Sequence, residues 1–166
     1  MMTKRTIILA TILTIASVGQ IVLAFLFYEE NNIAIINLGW VILWISAIFG
    51  WLPIFTFKKL GRVPKGKAYL HTTILVDRGV YAIVRHPQYL AGILMGLAFP
   101  LISQHWLVAA LGVIVIAINY VDTFEEEASN IAKFGDAYRQ YMQRVPRLNF
   151  LLGIIRVILK QGRAQS

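Results

Sequence analysis

Between Thr6 and Tyr28 the chain sets 23 residues without one formal charge, and between Ile33 and Phe57 it sets 25 more. As α-helices these runs measure about 34 Å and 37 Å, enough to cross the roughly 30 Å hydrocarbon layer of a bilayer. Two further apolar segments follow. Pro87–Ser103 starts on a proline suited to a first helical turn and spans roughly 25 Å, short for a crossing. The fourth starts near His105 and stays apolar to Val121, after a tight outer turn through Ser103, Gln104 and His105. Its helical pattern then continues through "DTFEEEASNIAKF", with Gly135 as its C-terminal stop. The expected architecture is an all-α polytopic membrane bundle with four transmembrane helices, the last projecting beyond the membrane.

Smaller elements follow the same logic. Pro53 is expected to kink the second segment or shorten its regular part. The stretch from His71 to Tyr81 is expected to be partly extended. Asp136 opens a short polar helix. Phe150–Lys160 is apolar with basic residues on one side and too short to span, so it is expected to lie in the interface. The run from Thr6 is long for a signal peptide and ends in no small-x-small cleavage site, so it reads as a retained span.

The cations follow the segments. Of 16 Lys and Arg residues, two precede the first segment, seven lie between the second and third, and seven follow the fourth. The other two loops carry none. This is the positive-inside pattern, so both termini are expected on the cytoplasmic side, and the formal charge of +8 reports topology and anionic headgroups, with no nucleic-acid partner. Hydrophobic residues make up 58% of the 166, as in an integral membrane protein, and the length suits a single domain over residues 1–166. The absence of cysteine excludes disulfides, thiolate metal sites and a cysteine nucleophile. His71, His86 and His105 have no ligand spacing, and no metal site is expected. The sequence does not set the oligomeric state.

Two polar clusters stand at the cytoplasmic ends of the third and fourth segments. Arg85 and His86 precede Pro87, and Glu125, Glu126 and Glu127 follow the apolar part of the fourth. A hairpin with a three-residue turn makes those segments antiparallel neighbours, so the clusters face each other. Cations at a helix N-terminus, with the free N–H groups there, can hold a carboxylate or phosphate. Opposed glutamates can hold an ammonium or a pair of ribose hydroxyls, so a zwitterionic amino-acid ligand suits the pair. Plainer readings stand beside this one. Arg85 can be a snorkelling anchor, His86 a helix cap, and the glutamates a solvated face. Gly92 and Gly96 read as helix packing or as room for a flat ligand.

"GVYAIVRHPQYLAG" (Gly79–Gly92) resembles the G-x-Y-x-x-x-R-H-P-x-Y-x-x-G signature of the isoprenylcysteine carboxyl methyltransferase family, which includes membrane phospholipid methyltransferases. Glu126-Glu127, Phe134-Gly135, Tyr138, Tyr141 and the "RVPR" of Arg144–Arg147 resemble its second half. The resemblance covers residues 70–147. It implies an integral membrane methyltransferase using S-adenosylmethionine, with Arg85, His86, Tyr89, Glu126 and Glu127 in the cofactor pocket and Arg85 and His86 closest to the chemistry. The acceptor it implies is lipophilic: an isoprenylcysteine-like carboxylate, a phospholipid amine or another small lipophilic molecule. "ASNIA" replaces a leucine-rich stretch after the glutamates, and "LNFLLGIIRVILKQGRAQS" replaces an apolar-proline close. These departures, with a chain shorter than the eukaryotic enzymes, point to a small prokaryotic enzyme of the cytoplasmic membrane, and the resemblance implies a cofactor site on the cytoplasmic side. The alternative is a non-catalytic scaffold or lipid-binding protein that keeps the bundle.

Overall fold

The computed structural model describes residues 4–29, 31–62, 64, 66 and 72–163. Lys65, Lys67 and His71, and Glu30 of the acidic outer turn, lie outside the described residues. Among those described there are six α-helices and no strand: α1 (Lys4–Leu26), α2 (Ile33–Leu60), α3 (Pro87–Ser103), α4 (Trp106–Phe134), α5 (Asp136–Arg144) and α6 (Phe150–Arg163). In the stretch expected to be partly extended, Arg78 is extended at φ −120° and ψ 171°, and a 3-10 turn at Gly79–Ala82 follows it. Three helices, α1, α2 and α4, are long and apolar enough to cross a membrane, while α3 is a shorter apolar helix of 17 residues.

Local chemistry explains the boundaries. α2 runs through Pro53 to Leu60 and is not shortened. A proline inside a membrane helix costs one backbone bond, which a helix in apolar surroundings tolerates when neighbouring hydroxyls and carbonyls adjust. Thr56, one turn on, donates its hydroxyl to the Leu52 carbonyl at 2.8 Å. His105 precedes α4 and accepts the Leu107 N–H on Nδ1 at 3.3 Å, so it caps that helix. Gly135 ends α4 with φ +58°, in the left-handed region that glycine enters without penalty, and α5 begins at the next residue.

The chain divides into two compact units, residues 1–48 with 90–122 and residues 49–89 with 123–166. In the first, Ile15, Phe25 and Trp44 are each more than two-thirds exposed. Such a face has no favourable contact with water and suits acyl chains. The inner contacts are close and polar. Gln20, fully buried, donates to the carbonyls of Gly96 at 3.0 Å and Val108 at 3.3 Å. A Cβ on Gly96 would come within 2.9 Å of Ile116 and 3.2 Å of the Gly112 carbonyl. A Cβ on Gly92 would collide with the Asn119 side chain. The two glycines therefore let α3 pack against α4, with small residues and interhelical hydrogen bonds holding the helices.

The second unit has its own core of Tyr138, Tyr141 and Val145, with Leu75, Ile131, Phe134 and Met142 against it. Tyr141 donates its hydroxyl to the Tyr81 carbonyl at 2.7 Å, and the Tyr81 ring stacks on Phe57 with centroids 4.5 Å apart. The 3-10 turn is thereby fixed on both sides. Lys133 donates to the Thr72 carbonyl at 2.6 Å and ties α4 to the start of the connecting stretch.

Candidate functional site

The second unit brings three separate stretches of sequence to one carboxylate. The residue before a proline is pushed toward extended backbone by the proline ring. His86 precedes Pro87 and Val145 precedes Pro146, and Val145 is extended at φ −115° and ψ 129°. The two stretches lie side by side: the Arg85 N–H donates to the Pro146 carbonyl at 3.0 Å and the His86 N–H to the Arg147 carbonyl at 3.3 Å. This pairing delivers Arg85, His86 and Arg147 together to α4.

Glu127 is the acceptor they share. Arg147 donates from Nε to Oε1 at 3.1 Å and from Nη2 to Oε2 at 2.5 Å, the two-pronged geometry that makes arginine–carboxylate pairs strong. His86 Nε2 lies 3.1 Å from Oε1. Arg85 Nη1 is 2.7 Å from the same oxygen. The Glu127 side chain is 6% exposed and His86 is fully enclosed, so the carboxylate has little contact with water and is compensated by the cations. The Arg147 guanidinium also covers the Phe124 ring at 3.9 Å from its centroid.

Glu126 has a different environment, although it is the next residue. One residue on a helix is a turn of about 100°, which carries Glu126 off the line of the arginines. Its side chain is 42% exposed. Asn130 donates to it at 3.4 Å, Tyr89 hydrogen-bonds it, and His86 Nδ1 stands 3.8 Å away. Tyr89, one turn into α3, meets the His86 ring edge-on with centroids 5.8 Å apart. All five residues singled out in the sequence thus gather in one cluster, with Glu127 enclosed and Glu126 open. Glu125 is partly exposed on the same helix.

Several polar atoms here are buried and lack hydrogen-bond partners: Arg85 Nε, Arg85 Nη1 and His86 Nδ1. Arg85 Nη1 pairs with Glu127 by distance, but the oxygen lies off its hydrogen-bonding direction. With Nε2 donating to a carboxylate, Nδ1 of a neutral His86 carries the lone pair. Buried polar atoms are nearly always satisfied, so these unpartnered ones beside Glu126 make the cluster the candidate site. Arginine N–H groups suit a carboxylate and Glu126 suits an ammonium or hydroxyl groups, so the donor set fits an amino-acid-bearing cofactor such as S-adenosylmethionine.

Sequence reasoning missed Arg147 as a member of the cluster. Its place at the end of "RVPR" is the signal in the sequence that could have found it, and the pairing with residues 85 and 86 shows where it goes. Outside the cluster, burial pushes the Tyr138 phenol up to about 12 against a hydrogen bond with Asn130 that lowers it, and burial likewise raises Tyr141.

Comparison with known proteins agrees with the motifs. The phospholipid methyltransferase family matches residues 36–136. A methanethiol S-methyltransferase from Bradyrhizobium diazoefficiens is 44% identical over 70 residues, 42% of this chain and 24% of that protein. A protein-S-isoprenylcysteine O-methyltransferase from Schizosaccharomyces pombe is 32% identical over 74 residues, 44% of this chain and 31% of that protein. The matches thus cover a quarter to a third of these relatives' length, and no solved structure matches the chain. With the family match reaching from α2 to the start of α5, and with three helices able to cross a membrane, this chain belongs to the phospholipid methyltransferase family of membrane methyltransferases.

Proposed function

We propose that residues 1–166 act as one integral membrane domain that transfers a methyl group from S-adenosylmethionine to a lipophilic acceptor. α1 to α4 form four spans, α3 the short one. Both termini and the cofactor site lie on the cytoplasmic side of a prokaryotic membrane, as the distribution of cations favours. The observation that carries the reading is the set of buried, unpartnered polar atoms on Arg85 and His86 next to the exposed Glu126.

Bound S-adenosylmethionine supplies an electrophilic methyl group on a sulfonium. Arg85 would offer Nε–H and Nη1–H to the methionyl carboxylate. Glu126 takes the ammonium or the ribose hydroxyls, and the Tyr89 ring lines the pocket beside it. Glu127 and Arg147 hold Arg85 and His86 in place, an alignment on which an in-line displacement depends. In such a displacement the acceptor's lone pair would form the bond to the methyl carbon as the carbon–sulfur bonding pair went to sulfur. A carboxylate acceptor then ends as an ester with no proton to move. A thiol or amine acceptor must lose a proton, and His86 Nδ1 is placed to take it while Glu127 keeps Nε2–H fixed.

Calorimetry on the detergent-purified protein with S-adenosylmethionine and S-adenosylhomocysteine tests the cofactor. Absence of binding to well-folded protein refutes the proposal. Membrane lipid extracts and a panel of thiols, incubated with methyl-labelled S-adenosylmethionine, then identify the acceptor. Cofactor binding without transfer to any of them favours the non-catalytic alternative.

A further inference from the structure

α6 is amphipathic in an unusual sense: its polar face is turned toward the protein and its apolar face away from it. Gly153, Arg156, Val157 and Lys160 recur at helical spacing on the inner face. A Cβ on Gly153 would collide with the Ile83 carbonyl. Arg156 donates to the Arg144 carbonyl at 3.1 Å. With Val157 and Lys160 it lines a cavity of about 390 Å³ shared with Asp77, Tyr141 and Arg144. The opposite face carries Leu151, Ile155, Ile158 and Leu159, each more than half exposed. A helix at a water surface has the reverse arrangement.

The start of α6 has a defined neighbour. The Phe150 ring meets Phe49 of α2 with centroids 5.3 Å apart. Phe49 lies nine residues before Lys58, so about 14 Å along the helix from the Lys58–Lys59 pair that ends the span. Those lysines mark the headgroup level, and Phe49 lies inside the hydrocarbon. At 14 residues α6 is about 21 Å long, too short to cross, and it carries Arg156 and Lys160 with no acidic residue.

We infer that α6 is a non-spanning helix embedded in the leaflet on the Lys58–Lys59 side, its outward face among acyl chains and its cations near anionic phospholipid headgroups. The helix starts in the apolar layer beside α2, and its basic residues come in its later turns, where charge complementarity with anionic headgroups is available. Because Gly153 backs onto Ile83, two residues before Arg85, the same helix supports the segment that carries Arg85 and His86 from the lipid side.

The chain has no cysteine, so single cysteines can be spin-labelled without altering any other position. Ile155→Cys and Ile158→Cys change side chains more than half exposed, and Asp136→Cys, at a side chain 86% exposed, serves as the aqueous reference. In nanodiscs containing anionic phospholipid, labels at positions 155 and 158 should collide with oxygen several-fold more often, relative to a water-soluble nickel chelate, than the label at position 136. Equal ratios at all three positions overturn the inference. Labels shielded from both reagents and broadened by a second label overturn it in favour of contact with a second copy of the chain. Replacing anionic with zwitterionic lipid should lower the oxygen-to-nickel ratio at position 158, and an unchanged ratio overturns the headgroup contact.

Discussion

Glu127→Gln keeps the shape of the side chain and removes the charge on which Arg85, His86 and Arg147 converge. The variant leaves two guanidinium groups facing a neutral amide. Arg85 is 9% exposed and cannot recruit water freely, while Arg147 is 26% exposed and can do so in part. Removing one member of a buried ion pair costs about 3–5 kcal/mol, and the partial exposure of Arg147 places this case toward the lower end. At about 2–4 °C per kcal/mol for a chain of this size, the thermal midpoint in detergent should fall by about 10 °C. Glu126→Gln is the internal control. Its side chain is 42% exposed, so its stability should stay near that of the unmodified protein. Arg147→Gln completes a double-mutant cycle with Glu127→Gln. The double variant should be more stable than the sum of the two losses predicts, by about 1–3 kcal/mol. A Glu127→Gln midpoint within about 2 °C of the unmodified protein, or equal losses for the two glutamates, would refute the distinction between them.

Three further outcomes are expected. Glu126→Gln should weaken S-adenosylhomocysteine binding by about tenfold or more in calorimetry, since a charge-assisted hydrogen bond contributes about 1.5–3 kcal/mol. Tyr138 should make the protein sensitive to alkali. An unfolded tyrosine ionises near about 10 and the folded Tyr138 near about 12, so between those values only the unfolded chain has released the proton and stability falls as pH rises. Thermal midpoints measured across that window should decline less steeply in Tyr138→Phe. Gly96→Val should place its side chain against Ile116 and the Gly112 carbonyl, lowering stability by about 1–3 kcal/mol in the same melts.

The helices were legible because their causes are local. An uncharged run of 23 or 25 residues can satisfy its backbone only by coiling on itself in an apolar layer, and α1 and α2 lie where those runs are. Gly135 acts through its own backbone dihedral, so the break between α4 and α5 was readable at a single residue. Of the two outcomes expected at Pro53, a kink or a shortened helix, the helix is not shortened, because whether a proline ends a helix depends on its surroundings as well as on its ring.

Composition determined that this is a helical membrane protein, and the resemblance of the motifs to the family implied that Arg85, His86, Tyr89, Glu126 and Glu127 share one pocket. Tertiary structure decided what each of them is free to do. Glu126 and Glu127 are chemically identical and adjacent, so no reading of the sequence separates them. Their difference arises because Arg85, His86 and Arg147 approach α4 from one direction, set by the pairing of residues 85 and 86 with 146 and 147. A carboxylate under that approach becomes a buried counterion, and its neighbour, about 100° around the helix, stays open. The direction from which a charge arrives is a property of the folded chain, which is why the pairing of Arg147 with Glu127 could be found only there.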